Sequence, residues 1–168
     1  MTTIATRDTQ QLRQVLSSFP TGVTAIAALV DGQPVGMAVN SFTSVSLDPP
    51  MVLVCINRAS TTWPALAGVP MFGVSVLADG HQRACRQLSA RGGDRFADVA
   101  WHATSQGAVI LDGAAAWLEC SLESRHEAGD HDIVVLRVHD LDGDRNVAPL
   151  VFHGSGFRRL ADEPDISL

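Results

Sequence analysis

With 168 residues, 46% of them hydrophobic, the chain can bury roughly 70% of the surface it would expose unfolded, so no disulfide is needed to stabilise it. A net charge of −6 with scattered basic residues excludes the electrostatic footprint of a nucleic-acid binder. No apolar run approaches the ~18 residues of a membrane span, and the opening MTTIATRDTQQ lacks the apolar segment of a secretion signal.

A single domain over residues 1–168, with about seven fraying residues at each end, is the expectation. Cys55, Cys85 and Cys120 are odd in number and show neither C-x-x-C nor zinc-type spacing, which fits a reducing cytoplasm and no metal. Cys55 sits in an apolar run and reads as a buried small hydrophobe. Charged residues make up only 18%, which leaves little charge to cover a monomer and apolar surface to share with a second copy.

Asp8 to Phe19 places Leu12, Val15, Leu16 and Phe19 on one helical stripe, with Asp8 and Gln11 spaced as a capping pair. Val23 to Val30 and Pro34 to Asn40 flank Asp31-Gly32-Gln33 and predict a hairpin. Two more strands, Val45 to Leu47 and Met51 to Ile56, flank Asp48-Pro49-Pro50. Ser60 or Thr61 then caps a short helix running through Leu66, and Met71 to Leu77 returns as a strand.

Asp79 to Ala90 predicts a second helix with Ala84, Cys85 and Leu88 on one side, followed by a loop from Arg91 to Gln106. Two long strands, Ala115 to Arg125 and Asp132 to Asp140, are joined by the tight segment Glu127-Ala128-Gly129-Asp130-His131. The first alternates Leu118, Cys120 and Leu122 against Trp117, Glu119, Ser121 and Glu123. A turn at Asp142-Gly143-Asp144 and short strands at Leu150 to His153 and Phe157 to Leu160 complete the chain. Seven or eight short strands with helices only in the connections predict a mainly β fold, a closed or partly closed antiparallel barrel.

The motifs of other function classes are missing. There is no phosphate-binding G-x-x-x-x-G-K-[ST], and Gly154-Ser155-Gly156 lacks the third glycine and following helix of a dinucleotide fingerprint. His126, Glu127 and His131 are spaced one residue too far for a zinc-protease helix, and no G-x-S-x-G elbow marks a nucleophile.

What remains is the stretch Gly36 to Trp63, where small hydroxyl and amide residues crowd the strand ends. Asn40, Ser41, Thr43 and Ser44 precede the proline turn, and Asn57, Arg58, Ser60, Thr61 and Thr62 follow the next strand. Hydroxyls and free backbone N–H groups at such ends suit a phosphate, the Arg58 fork suits bidentate contact, and Asn40 and Asn57 suit the edge of a heterocycle. The same residues are also ordinary strand and turn formers, and composition does not separate the two readings.

The runs FPTGV (19–23), GMAVNSFTSVSLDPPMVLVCINRASTTWPAL (36–66), DRFADVAW (94–101), LDGAAAWLEC (111–120), RHEAGDHDIVVLRV (125–138) and PLVFHGSGFRRL (149–160) together resemble the flavin reductase domain family, in order and over nearly the whole chain. The resemblance implies an FMN-binding split barrel of Greek-key type, a homodimer, and reduction of FMN or FAD by NADH or NADPH for a partner flavin-dependent oxygenase.

By the same resemblance, Ala38, Asn40, Ser41, Phe42 and Thr43 line the flavin ring and the start of its side chain. Cys55, Asn57, Arg58, Ser60, Thr61 and Thr62 hold the rest and the phosphate, and Phe96 packs nearby. Gly129-Asp130-His131 matches a motif associated with the nicotinamide, with His131 as the catalytic candidate. Phe157 departs from the family, where many members carry tyrosine. A flavoprotein that keeps its flavin and reduces another acceptor, and a non-catalytic flavin or haem carrier, are the alternatives. The sequence leaves the choice of flavin, nicotinamide and partner open.

Overall fold

The computed structural model describes residues 9–161. The expectations for the chain ends and for Asp8 as a cap partner lie outside the described residues. Strand accounts for 49% and helix for 14%, which makes the fold mainly β.

A first helix, α1 (Thr9–Leu16), is followed by a short strand β1 (Thr21–Gly22) and the hairpin β2 (Thr24–Val30) and β3 (Gln33–Val39). Asp31 and Gly32 form its two-residue turn with φ of 51° and 76°, the backbone that matches the twist of the flanking strands. Next come β4 (Thr43–Leu47), β5 (Pro50–Asn57), α2 (Trp63–Leu66) and β6 (Phe72–Val76). A 3-10 turn (Asp79–His81) leads into α3 (Gln82–Leu88), which buries Ala84, Cys85 and Leu88.

The segment expected as a loop contains β7 (Trp101–Ala103), which pairs with β8 (Val109–Leu111). Its three residues are too few to show an alternation, so only the partner reveals it. The long hairpin β9 (Ala116–Ala128) and β10 (His131–Gly143) turns on Gly129, φ 67°, and Asp130. Strand β10 continues through Asp142 and Gly143, into the segment expected as a turn at residues 142–144, and β11 (Val151–His153) and β12 (Gly156–Arg158) close the chain.

Seven strands form one antiparallel sheet in the order β3-β2-β6-β9-β10-β5-β4. Its edge strands, β3 and β4, are joined by Asn40-Ser41-Phe42 alone. Six strand spacings would part the edges by about 29 Å in a flat sheet, whereas that connection reaches at most about 14 Å. The sheet must therefore curl until its edges approach at one end, and the seam of this barrel is the Asn40–Phe42 link.

The barrel interior is filled by Ile26, Val54, Ile56, Phe72, Val74, Val134 and Leu136, with Trp63 and Leu66 of α2 packed among them. A second apolar layer lies outside, where Ala25 and Ala27 of β2 meet α3, Phe96, Val109 and Leu111. Both faces of β2 are thus buried. The alternation expected in β9 does not hold: Trp117 and Leu118 are both half-buried, Glu119 is buried beside Cys120 and accepts a hydrogen bond from Thr104 at 2.6 Å, and Leu122 is exposed.

The apolar stripe expected on α1 is present, but among the described residues it is left uncovered. Leu12, Val15, Leu16 and Phe19 are 58–74% exposed.

Candidate functional site

Two connected cavities open along the seam. The smaller, about 340 Å³, is floored by Ala38 of β3, by Asn40 just after it, and by Cys55 and Asn57 of β5. Strand alternation explains the last pair: Val54 and Ile56 fill the barrel, so Cys55 and Asn57 face outward. Ser60 and Thr62 line it from the segment before α2, Leu88 and Ser89 from α3, Arg95 from the loop that follows, and His131 from β10. No aspartate or glutamate is among its lining residues.

The hydrogen bonds show which polar atoms remain free for a ligand. Ser41 Oγ donates to Cys55 O at 3.0 Å and accepts from Cys55 N at 2.9 Å, so its hydroxyl is spent on closing the seam. Asn57 Oδ1 accepts from Ala59 N at 2.8 Å, which leaves its amide N–H₂ as a donor. Ser60 Oγ accepts from Thr62 N and Trp63 N, so Ser60 supplies the helix-start contact expected of Ser60 or Thr61 and its O–H is left to donate. Arg95 Nη1 donates to Thr62 Oγ1 at 2.7 Å and to Gly36 O at 3.1 Å, a brace that fixes the guanidinium while its other N–H groups stay uncommitted.

His131 stands directly opposite Asn57 in the β10/β5 ladder. Its Nδ1 lies 2.8 Å from Asp130 Oδ1. That hydrogen bond, and then the imidazole's charge, hold the Asp130 carboxyl below its ordinary value. The carboxylate can only accept, so Nδ1 carries the proton and Nε2 is left for a ligand. On the other face of β10, Asp132 is buried and paired with Arg125 at 2.6 Å, which roots the hairpin in the barrel.

Not all residues singled out from the sequence meet here. Phe42 packs against the barrel core, Thr43 is an exposed residue of β4, and Thr61 is exposed outside the cavity. Phe96 is buried beneath β3, edge-on to Trp101 at 6.4 Å, and supports the floor rather than lining it. Its ring comes so close that a Cβ on Gly36 would meet it at 3.0 Å. Arg58 points away and pairs with Glu127 at 3.3 Å. Gly129 and Asp130 shape the turn without lining the cavity. Cys55, expected to be buried, is half-exposed at its wall.

Arg95 is the residue that sequence reasoning passed over. It sits in the Asp94-Arg95-Phe96 run, where the aromatic drew attention and a loop arginine resembles a solvated charge. The second cavity, about 500 Å³, shares Ala38, Val39, Asn40 and Ser89 with the first and continues past α3 to β11 and β12.

Residues 16–161 match the family description "Flavin reductase like domain". The chain belongs to the flavin reductase-like family. Among its relatives, the reductase subunit HsaB of a flavin-dependent monooxygenase from Rhodococcus jostii is 40% identical over 94% of this chain and 80% of that protein. The FMN reductase (NADH) SmoA of Agrobacterium fabrum is 38% identical over 92% of this chain and 87% of its own length. A solved NADH:FAD oxidoreductase of Streptomyces globisporus, in complex with NAD and FAD fragments, superposes with a TM-score of 0.90 at 37% identity, covering 98% of this chain and all of that one.

Proposed function

We propose that the protein is an NAD(P)H:flavin oxidoreductase that reduces FMN or FAD and passes the reduced flavin to a partner monooxygenase. The observation that carries this reading is the carboxylate-free cavity in which hydroxyl, amide and guanidinium donors converge on one side of the Asn57 and His131 pair. Such a donor set fits a phosphorylated, carbonyl-edged ligand. Membership in a family whose named relatives reduce flavins with NADH supports it.

Ser60, Thr62 and Arg95 hold the phosphate. The Asn57 amide and Asn40 pair with the edge of the ring system, while Ala38, Val39 and Leu88 keep water from its face. Bound flavin supplies the ring that takes up a hydride from reduced nicotinamide, chemistry that needs no protein nucleophile. His131, its tautomer fixed by Asp130, offers Nε2 to orient the nicotinamide beside the flavin.

The same reading extends to assembly and location. Strands from residues 21 to 158 contribute to the same fold, which supports one domain acting as the functional unit. The uncovered stripe of α1, with Leu47 at 89% exposure on the edge strand β4, supports a homodimer. Three unbridged cysteines support a reducing cytoplasm. Neutral donors with one arginine suit an affinity near 1 μM, about −8 kcal/mol, which lets a shuttled flavin leave.

The test is steady NADH or NADPH oxidation on addition of free FMN or FAD. Absence of turnover with every pair overturns the reading, and flavin retained through dialysis overturns the shuttle.

A further inference from the structure

Arg58 is the only charged residue between Asn57 and Thr62, yet it is turned away from the cavity that Asn57, Ser60 and Thr62 line. A guanidinium directed inward there would add a bidentate phosphate contact beside Ser60, Thr62 and Arg95. Glu127, on the neighbouring hairpin, diverts it. Glu127 Oε1 and Oε2 accept from Arg58 Nη2 and Nη1 at 3.3 and 3.4 Å.

The backbone at Arg58 is fixed by bonds on both sides of it. Its own N–H donates to Asp130 O at 3.0 Å, while Ser60 N donates to Asn57 O and Ala59 N to Asn57 Oδ1, which sets the turn that carries Asn57 and Ser60 into the cavity. Only the side chain can change partner. The Arg58 and Glu127 side chains are 45% and 73% exposed, and an exposed pair at these long distances is weak, so the guanidinium can be exchanged for a stronger anion.

We propose that Glu127 limits the affinity for a phosphorylated flavin by holding the Arg58 guanidinium off the phosphate, which leaves Arg95 as the arginine that binds it. The proposal rests on the flavin reductase reading of the cavity. A carboxylate at this point competes with each incoming phosphate for one guanidinium, and the competition shortens the stay of the flavin without removing a contact from its ring. A short stay is what a reductase feeding a separate oxygenase requires.

The experiment titrates FMN and phosphate-free riboflavin into the flavin-free wild type, Glu127→Gln, Arg58→Ala and the double variant, and follows FMN release by stopped flow. Both side chains are exposed, and thermal melts verify that each variant folds. Glu127→Gln should bind FMN about two- to fivefold more tightly than the wild type, the strength of one exposed ion pair, through slower release. Riboflavin should not change. In the Arg58→Ala background the gain from Glu127→Gln should vanish, which separates a freed guanidinium from the simple loss of a negative charge.

FMN affinity that is unchanged or weakened in Glu127→Gln, a gain shared by riboflavin, or a gain that persists without Arg58 overturns the proposal and leaves the reductase reading standing. A wild type that binds neither flavin overturns that reading, and the proposal with it.

Discussion

Ser41 and Cys55 are bonded twice, hydroxyl to carbonyl at 3.0 Å and amide to hydroxyl at 2.9 Å, across the seam where the two edges of the curled sheet approach. Ser41→Ala leaves the Cys55 amide without its partner and should lower stability by about 1–3 kcal/mol. Urea unfolding with and without FMN measures this. Because the bond shapes the cavity floor, flavin affinity should fall as well, although Ser41 offers the ligand no free hydrogen.

Arg95 should account for the phosphate and nothing else of the flavin. Arg95→Ala is expected to weaken FMN by roughly ten- to a hundredfold, the value of a charge-assisted contact, and to leave the affinity for phosphate-free riboflavin nearly unchanged. Fluorescence titration of both flavins decides it. The same change at Arg58, tied to Glu127, should cost less.

His131→Ala should reduce kcat for NADH oxidation while the FMN dissociation constant stays within about twofold, because the imidazole orients the donor and not the acceptor. A comparable loss of FMN affinity would instead place His131 among the flavin contacts. Stopped-flow reduction at saturating FMN separates the two.

The cysteines make a third-party report on the cavity. Burial raises the Cys85 thiol above its ordinary value and pushes Cys120 up to about 12, whereas Cys55 is half-exposed at the cavity wall. At pH 8 a disulfide reagent should therefore modify Cys55 first, and saturating FMN should protect it. Peptide mapping of the labelled thiol checks both statements.

Acid should act on the long hairpin. Glu123 accepts from Arg137 at 2.7 and 3.0 Å, and those hydrogen bonds foremost hold its carboxyl below the ordinary 4.5. A carboxyl depressed in the fold contributes stability above its ordinary value and loses it as the pH falls through the lowered one. The wild type should thus lose more between pH 7 and pH 3 than Glu123→Gln, read from urea midpoints.

The parts of this molecule legible in the sequence are those fixed by neighbours along the chain. The Asp31-Gly32 turn, the pairing of β9 with β10 and the hydroxyl-rich strand ends all follow from local pattern, and Cys55, Asn57, Ser60, Thr62 and His131 do converge. What was not legible depends on distant partners. Arg58 and Arg95 look alike as charges in polar segments; one is diverted by Glu127, 69 residues away, and the other is braced by Gly36 and Thr62. Phe42 and Phe96 are core residues for the same reason, since only the folded chain shows which side of the floor they occupy. The strand β7 was missed because its partner β8, not its own three residues, defines it.

The connection Asn40–Phe42 does two jobs at once, since it joins the outer strands of the barrel and forms part of the ligand floor. A longer or differently shaped link there would reopen the barrel, so this part of the site has little freedom to diverge. The walls contributed by α3 and β12 carry no such burden. New ligand preferences can arise there by single substitutions, while the floor stays constant for as long as the fold itself persists.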